Sequence, residues 1–138
     1  MPEGFDIIQF LKSAVSTGAS DEHIKTGYSP FIRINGFVKK TNLPVLTNED
    51  VENAILDIAP STIRDSILQE KDIDFMYEIK GCSRFRVNYN RQIGSPAMVI
   101  RNIAYEIPTI SENKLPQILN NITQQANGIV LVTGPTGC

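Results

Sequence analysis

The sequence predicts an α+β fold, a mostly antiparallel sheet covered by two or three helices, followed by a linker and a helix–strand segment. Three observations carry this reading. Residues 5–17 and 47–58 place apolar side chains at helical spacing. Short runs rich in β-branched and aromatic residues, several with strict alternation, fill most of the stretch from His23 to Ile103. Between two of those runs sits Asn35-Gly36, a pair that tolerates the positive φ angles of a type I′ hairpin turn.

The elements follow in order. Ile7, Ile8, Phe10, Leu11, Ala14 and Val15 form one stripe of an opening helix over Phe5–Thr17, with Gly18 placed as its stop. His23–Thr26 reads as a short strand, Gly27–Pro30 as a turn, and Phe31–Ile34 with Phe37–Lys40 as the hairpin around Asn35-Gly36. Thr47 caps a helix through Ile58, with Glu49 and Asp50 at its positive end, and Pro60 stops it. Ser61 restarts a short helix carrying Ile63, Ile67 and Leu68. Three strands are then expected at Ile73–Ile79, Arg84–Asn90 and Ala97–Ile103, with Gly81 in one turn and Gly94, Ser95 and Pro96 in the next. Alternation in the second of these puts Phe85, Val87 and Tyr89 on a core face and Arg84, Arg86 and Asn88 on the other.

Residues 104–113, with Pro108 and no clear period, read as a linker. Lys114–Gln125 resembles a helix with Leu115, Ile118, Leu119 and Ile122 as its stripe, and Gly128 opens a final apolar strand. That strand runs into Gly134, Pro135, Thr136, Gly137 and Cys138, the way G-x-x-x-x-G-K-[ST] begins. In a complete loop, backbone N–H groups surround the phosphates, a lysine neutralises them and a hydroxyl holds Mg²⁺. A parallel strand of this kind is normally buried by helices on both faces, which this sequence does not contain.

Composition narrows the class. Net charge −2, pI ≈ 5.4 and dispersed Lys and Arg argue against nucleic acid as the main partner. No apolar run is long enough to span a membrane, and Met1–Phe10 lacks the layout of a signal peptide, so a cytoplasmic protein is expected. Cys82 and Cys138 make neither a disulfide framework nor a metal site. Asp21 and His23 are too few for a metal centre and are assigned a structural role, so no metal ligand is expected.

Five segments in register then point to one family: Gly18-Ala-Ser-Asp21 with His23-Ile24, Pro30–Gly36, Asp72-Ile-Asp-Phe75, Arg84-Phe-Arg-Val-Asn88 and Val132-Thr-Gly-Pro-Thr-Gly137. Together they resemble the secretion-superfamily hexameric ATPases, and among them the type IV pilus retraction motors. The resemblance implies a PAS-like N-terminal domain over residues 1–104, a linker over 105–113 and the beginning of a RecA-like ATPase domain over 114–138. It implies ATP and Mg²⁺ as cofactors of the full-length protein, a homo-hexameric ring, and work on the pilus machinery at the inner membrane. Arg86 and Arg101 fall at positions where related motors present arginines to the nucleotide phosphates, a role that suits a planar fork of fixed charge. Arg84 shares the face of Arg86, whereas Arg33 and Arg64 lie outside the matched positions. The lysine, the hydroxyl and the acidic segments of the family would all follow Cys138. The short stretch before the PAS-like region favours retraction over the related type II secretion and pilus assembly ATPases, and the Gly-Pro-Thr-Gly ending disfavours a free-standing PAS-like sensor.

A 138-residue piece is accordingly expected to be a monomer or weak dimer, because a ring contact between unlike surfaces cannot close with one surface missing. It should show no ATPase activity and bind Mg-ATP weakly at most, since the phosphate-neutralising lysine is absent and each charge-assisted contact is worth about 1.5–3 kcal/mol. Calorimetric titration measures this directly, and a submicromolar affinity would contradict it.

Overall fold

A computed structural model describes residues 4–69 and 72–134. The chain divides into two compact units, Met1–Tyr105 and Glu106–Cys138. The first opens with helix α1 (Ile7–Ser16), whose N-terminus is capped by the Asp6 carboxylate accepting from the Gln9 N–H. It ends at Gly18, where φ is +77°. Strand β1 (Asp21–Lys25) leads into the hairpin of β2 (Phe31–Ile34) and β3 (Phe37–Lys40). Asn35 and Gly36 turn that hairpin with φ of 49° and 82°, as a type I′ turn requires.

Helix α2 (Asn48–Ile58) starts at a capping box: Thr47 Oγ1 accepts from the Asp50 N–H while the Asp50 carboxylate accepts from the Thr47 N–H. A 3₁₀ turn (Ser61–Ile63) and helix α3 (Arg64–Leu68) follow. Strands β4 (Ile73–Ile79), β5 (Ser83–Gln92) and β6 (Ser95–Ile103) complete an antiparallel six-stranded sheet of order β3-β2-β1-β6-β5-β4. The expected α+β architecture is therefore the observed one.

One sheet face is buried. Ile24, Phe85, Val87, Tyr89, Met98 and Ile100 pack with Ile7, Phe10 and Leu11 of α1 and Val51, Ala54, Ile55 and Ile58 of α2 in a single core. The chain crosses from β3 at one sheet edge to β4 at the other through α2 and α3, which leaves α2 lying against β6. The opposite face carries the polar side chains.

Several boundaries differ from the sequence expectations, each for a tertiary reason. Strand β1 begins at Asp21 rather than His23, because Asp21 and Glu22 find partners on both sides, Arg33 and Ile32 in β2 and Arg101 and Ile100 in β6. Strand β6 takes in Ser95 and Pro96, since the turn is tightened to Ile93-Gly94, at φ of 53° and 78°. Pro96 is tolerated near the strand start, and its carbonyl accepts from Thr26. Leu68 is 69% exposed and does not join the core; Ile67 does.

The second unit departs further. Of the helix expected over Lys114–Gln125, only α4 (Ile118–Ile122) forms, after Lys114 at φ 54° and Pro116. None of α4's residues is buried, and a short helix without a packed face is marginal. The strand expected from Gly128 does not form among the described residues: 128–134 lack strand pairing, and Ile129, Leu131 and Val132 are exposed. A strand needs a neighbour for its backbone groups, and the described residues of this unit supply none there.

The capping box gives a direct stability test. Thr47→Ala should cost about 1 kcal/mol, which for a domain of this size lowers the melting temperature by roughly 4–8 °C. A thermal melt followed by circular dichroism reads this out, and an unchanged midpoint would mean the box contributes nothing to stability.

Candidate functional site

Because side chains alternate along each strand, the register decides which residues meet on the exposed face. Arg33 of β2 stands opposite Asp21 of β1, Asp21 opposite Arg101 of β6, Arg101 opposite Arg86 of β5, and Arg86 opposite Met76 of β4. The sheet thus brings Arg86 and Arg101 side by side and places Arg33 and Asp21 in the same transverse row. Arg84 shares the face but lies two residues along, against Glu78 and Ile103, with its guanidinium over the Tyr105 ring.

Two arginines of the row are hydrogen-bonded to a carboxylate through Nε, and the third brings the same atom to ion-pair distance. Arg101 Nε donates to Asp21 Oδ1 at 2.9 Å, Arg33 Nε lies 3.9 Å from Asp21 Oδ2, and Arg86 Nε donates to Asp74 Oδ1 at 3.3 Å. Asp74 is steadied in turn by Asn88 Nδ2 at 3.3 Å. The arginine side chains remain solvent-facing, 43% exposed for Arg33, 63% for Arg86 and 70% for Arg101, whereas the Asp21 side chain is only 11% exposed. A guanidinium anchored at Nε keeps its terminal Nη pair for a further acceptor, and a phosphate oxygen pair matches that fork. Burial pushes the Asp21 carboxyl up, but the hydrogen bonds from Arg101 and Ser20 and the charges of Arg101 and Arg33 outweigh it and hold the group below its ordinary value.

The other sequence candidates separate from this row. His23 lies on the same face one rung away, stacked on Phe31 at 4.7 Å between ring centroids, and burial followed by the Arg33 charge lowers its pKa. Among the described residues no three His, Cys, Asp or Glu side chains gather as metal ligands. Gly134 is exposed and outside any strand, while Pro135, Thr136, Gly137 and Cys138 lie outside the described residues. No helix among the described residues is long and apolar enough to cross a membrane.

Two residues of the row escaped the sequence reading. From the sequence Asp21 reads as a structural residue and Arg33 as one outside the matched phosphate positions. Parity within β1 and β2 marks both as outward-facing candidates, but only the cross-strand register shows that they meet.

An antiparallel six-stranded sheet with helices on one face matches an N-terminal domain of PilT-like ATPases, and this chain is similar in sequence to such proteins over nearly its whole length. It is 36% identical over 132 residues to the type IV pilus retraction ATPase PilT of Pseudomonas aeruginosa, covering 96% of this chain and 38% of that protein. To a twitching motility protein of Neisseria gonorrhoeae it is 32% identical, covering 96% of this chain and 36% of the relative. The crystal structure of the pilus retraction motor PilT with bound ADP superposes with a TM-score of 0.80 at 34% identity, over 96% of this chain and 39% of that one. No family model matches the sequence. The chain therefore spans less than two-fifths of the length of the curated relatives it matches.

Directly behind Asp21, on the core side of β1, lies Glu22, fully buried. Asn102 Nδ2 donates to Glu22 Oε1 at 2.8 Å and also to the Ala19 carbonyl. Glu22 Oε2 and Asn102 Oδ1 are buried without a hydrogen-bond partner. A proton on the carboxyl supplies a donor where two acceptors otherwise stand bare. Burial, with the Asp21 charge adding to it against the Asn102 hydrogen bond, pushes Glu22 up from 4.5 to about 8. Across that interval the folded chain holds a proton that the unfolded chain has released, so this group's contribution to stability is complete at acid pH and falls as pH rises towards about 8. Glu22→Gln, a neutral amide of the same shape, should remove that slope and gain on the wild type as pH rises from 5 to 8, which urea midpoints measured across that range would read out. His23 acts with the opposite sign below its ordinary value in both proteins, so the difference between them is the quantity to follow. Parallel curves would mean that Glu22 is ionised in the fold.

Proposed function

We propose that this chain is the N-terminal part of a hexameric ATPase that powers type IV pilus retraction, and that its PAS-like domain (1–104) presents Arg86 and Arg101 to the nucleotide phosphates when the domains of the ring close. The observation that carries the reading is the cross-strand juxtaposition of those two arginines, each held at Nε by a carboxylate with its outer end in solvent. Homology to pilus retraction proteins over nearly the whole chain supports the same assignment. The linker (105–113) and the segment 114–138 are the start of the RecA-like ATPase domain in this reading, with Gly134 to Cys138 as the first half of its phosphate loop. The motor works from the cytoplasmic side of the inner membrane.

The residues present suit the phosphates and not the metal. Two neighbouring guanidiniums offer paired N–H donors to an oxyanion and stabilise charge that develops on a transferring phosphoryl group. ATP with Mg²⁺ supplies the hydrolysable phosphoanhydride; the hydroxyl and carboxylate that would hold the metal belong to the ATPase domain. This chain's share is therefore orientation and charge stabilisation. A free-standing sensor would hold a ligand between helices and sheet. A groove of about 1190 Å³ does lie between α1 and the β2 side of the sheet, lined by Phe5, Phe10, Ala14, Ile32 and Leu46 among others, but it opens to solvent, and the similarity to a pilus retraction ATPase over nearly the whole chain favours the motor reading.

In the full-length motor, Arg86→Ala and Arg101→Ala should each slow steady-state ATP turnover by roughly ten- to a hundredfold, the equivalent of one charge-assisted hydrogen bond made mainly in the transition state. Lysine at either position should rescue only partly, since it keeps the charge and loses the fork. Arg64, which donates to the Leu56 and Ala59 carbonyls on the helical side, is the control. Arg33 does not serve as one, because it stands in the row. Equal small effects at Arg64, Arg86 and Arg101 would reduce the latter two to ordinary surface residues, and losses that track melting temperature would make their role structural.

A further inference from the structure

We infer that Asp21 is a positioning residue of the arginine row and that Arg33 is its third phosphate-binding guanidinium; the inference rests on the phosphate role proposed for Arg86 and Arg101. One carboxylate faces two arginines with its two oxygens, Oδ1 to Arg101 at 2.9 Å and Oδ2 to Arg33 at 3.9 Å. It is the rigid member of the group. Its side chain is 11% exposed, Ser20 Oγ donates to Oδ2 at 2.8 Å, and β1 carries it between β2 and β6 in the middle of the row. The arginines are long, flexible and solvent-facing, so their directions are set by what holds them. Both contacts of Asp21 are made at Nε: the 2.9 Å hydrogen bond orients the Arg101 guanidinium and the 3.9 Å ion pair draws Arg33 towards the same carboxylate, and each leaves the terminal nitrogens for another acceptor. Asp74 does the same for Arg86 from the other side.

The result is three guanidiniums against two carboxylates, a residual positive row running across β2, β6 and β5. Its length matters chemically. Opposed side chains in neighbouring strands sit about 4.5–5.5 Å apart at Cβ, so Arg33 and Arg101, one strand removed from each other across Asp21, reach past a single phosphate group towards two successive ones. The ligand this fits is a polyphosphate chain, with Arg86 and Arg101 on one group and Arg33 on its neighbour.

Two roles for Asp21 make opposite forecasts. A carboxylate that merely masked Arg101 would, once neutralised, release a stronger phosphate binder and give tighter or faster catalysis. A carboxylate that aims Arg101 and Arg33 would, once neutralised, leave them wandering. In the full-length motor, Asp21→Asn should therefore lower kcat roughly tenfold, the size of one misplaced charge-assisted contact, and Asp21→Glu should retain part of the rate. Arg33→Ala should lower kcat or raise KM for ATP by a similar factor. Adding Asp21→Asn to Arg101→Ala should cost less than Asp21→Asn costs alone, because the aspartate acts through a residue already removed.

If Arg101→Ala slows turnover while Asp21→Asn and Arg33→Ala leave kcat and KM unchanged, or if Asp21→Asn speeds the reaction, this inference is wrong and the proposed function stands. If Arg86→Ala and Arg101→Ala are themselves silent, the phosphate role fails and the inference with it. A readout independent of turnover covers the case in which the variant does not fold. In the wild-type chain, the ¹⁵N resonance of Arg101 Nε should show an N–H that exchanges with water more slowly than that of Arg84, whose guanidinium lies over a ring and has no carboxylate at Nε among the described residues. Equal exchange at the two positions would overturn the positioning role.

Discussion

The pairing of β1 with β6 is the constraint on which both faces of the sheet depend. Five consecutive residues, Asp21–Lys25, meet Ala97–Arg101 in antiparallel register, joining segments from opposite ends of the domain. Around this seam lie two polar contacts on opposite faces. Asp21 meets Arg101 outside, and Glu22 meets Asn102 inside. A slip of one residue would carry Asp21 towards the core and Glu22 into solvent, exchanging every apolar side chain of the strand as well. The ends are pinned against such a slip: the Asn102 N–H donates to the Ser20 carbonyl, and the Ser20 N–H donates to the Arg33 carbonyl. The backbone of β1 is thus fixed between β2 and β6 by the residue that precedes Asp21.

What the sequence made legible was local, and each legible feature has a local cause. Asn35-Gly36 announces its turn because few other residues accept φ of 49° and 82° in succession. Thr47 and Asp50 announce a helix start because their side chains satisfy backbone donors three residues apart. Alternation in β5 places Phe85, Val87 and Tyr89 inside without knowledge of any partner strand. The same parity puts Arg84 and Arg86 of that strand on the outer face, and they are there.

What remained hidden was the part decided by distant neighbours. No local signal states that Asp21 lies opposite Arg101, eighty residues on, so the aspartate read as an isolated acid and Arg33 as a residue without a role. The same limit explains the misreadings. Leu68 has the spacing of a core residue, but α3 stops at it and its side chain stays mostly exposed. Leu115, Ile118, Leu119 and Ile122 have the spacing of an amphipathic helix, but spacing becomes structure only where the stripe is buried, and α4 keeps only five residues. Apolar pattern specifies what a segment can do; burial decides whether it does it.

The arginine row runs against the rule that stabilises sheets. Directly opposed residues contribute most when their charges differ, and like charges placed opposite each other are destabilising. A sheet selected for stability alone would put an acid across from Arg86, yet its partners on that rung are Met76 and Arg101. The carboxylates that offset the repulsion, Asp21 and Asp74, bind at Nε and leave the guanidinium ends exposed, where exposed ion pairs contribute little to folding. Full neutralisation would call for an acid at the fork of each arginine, and among the described residues the sheet does not provide one. Local rules of stability are most often broken where a ligand supplies the missing interaction. A polyphosphate would supply it here, giving each fork the acceptor that the fold withholds.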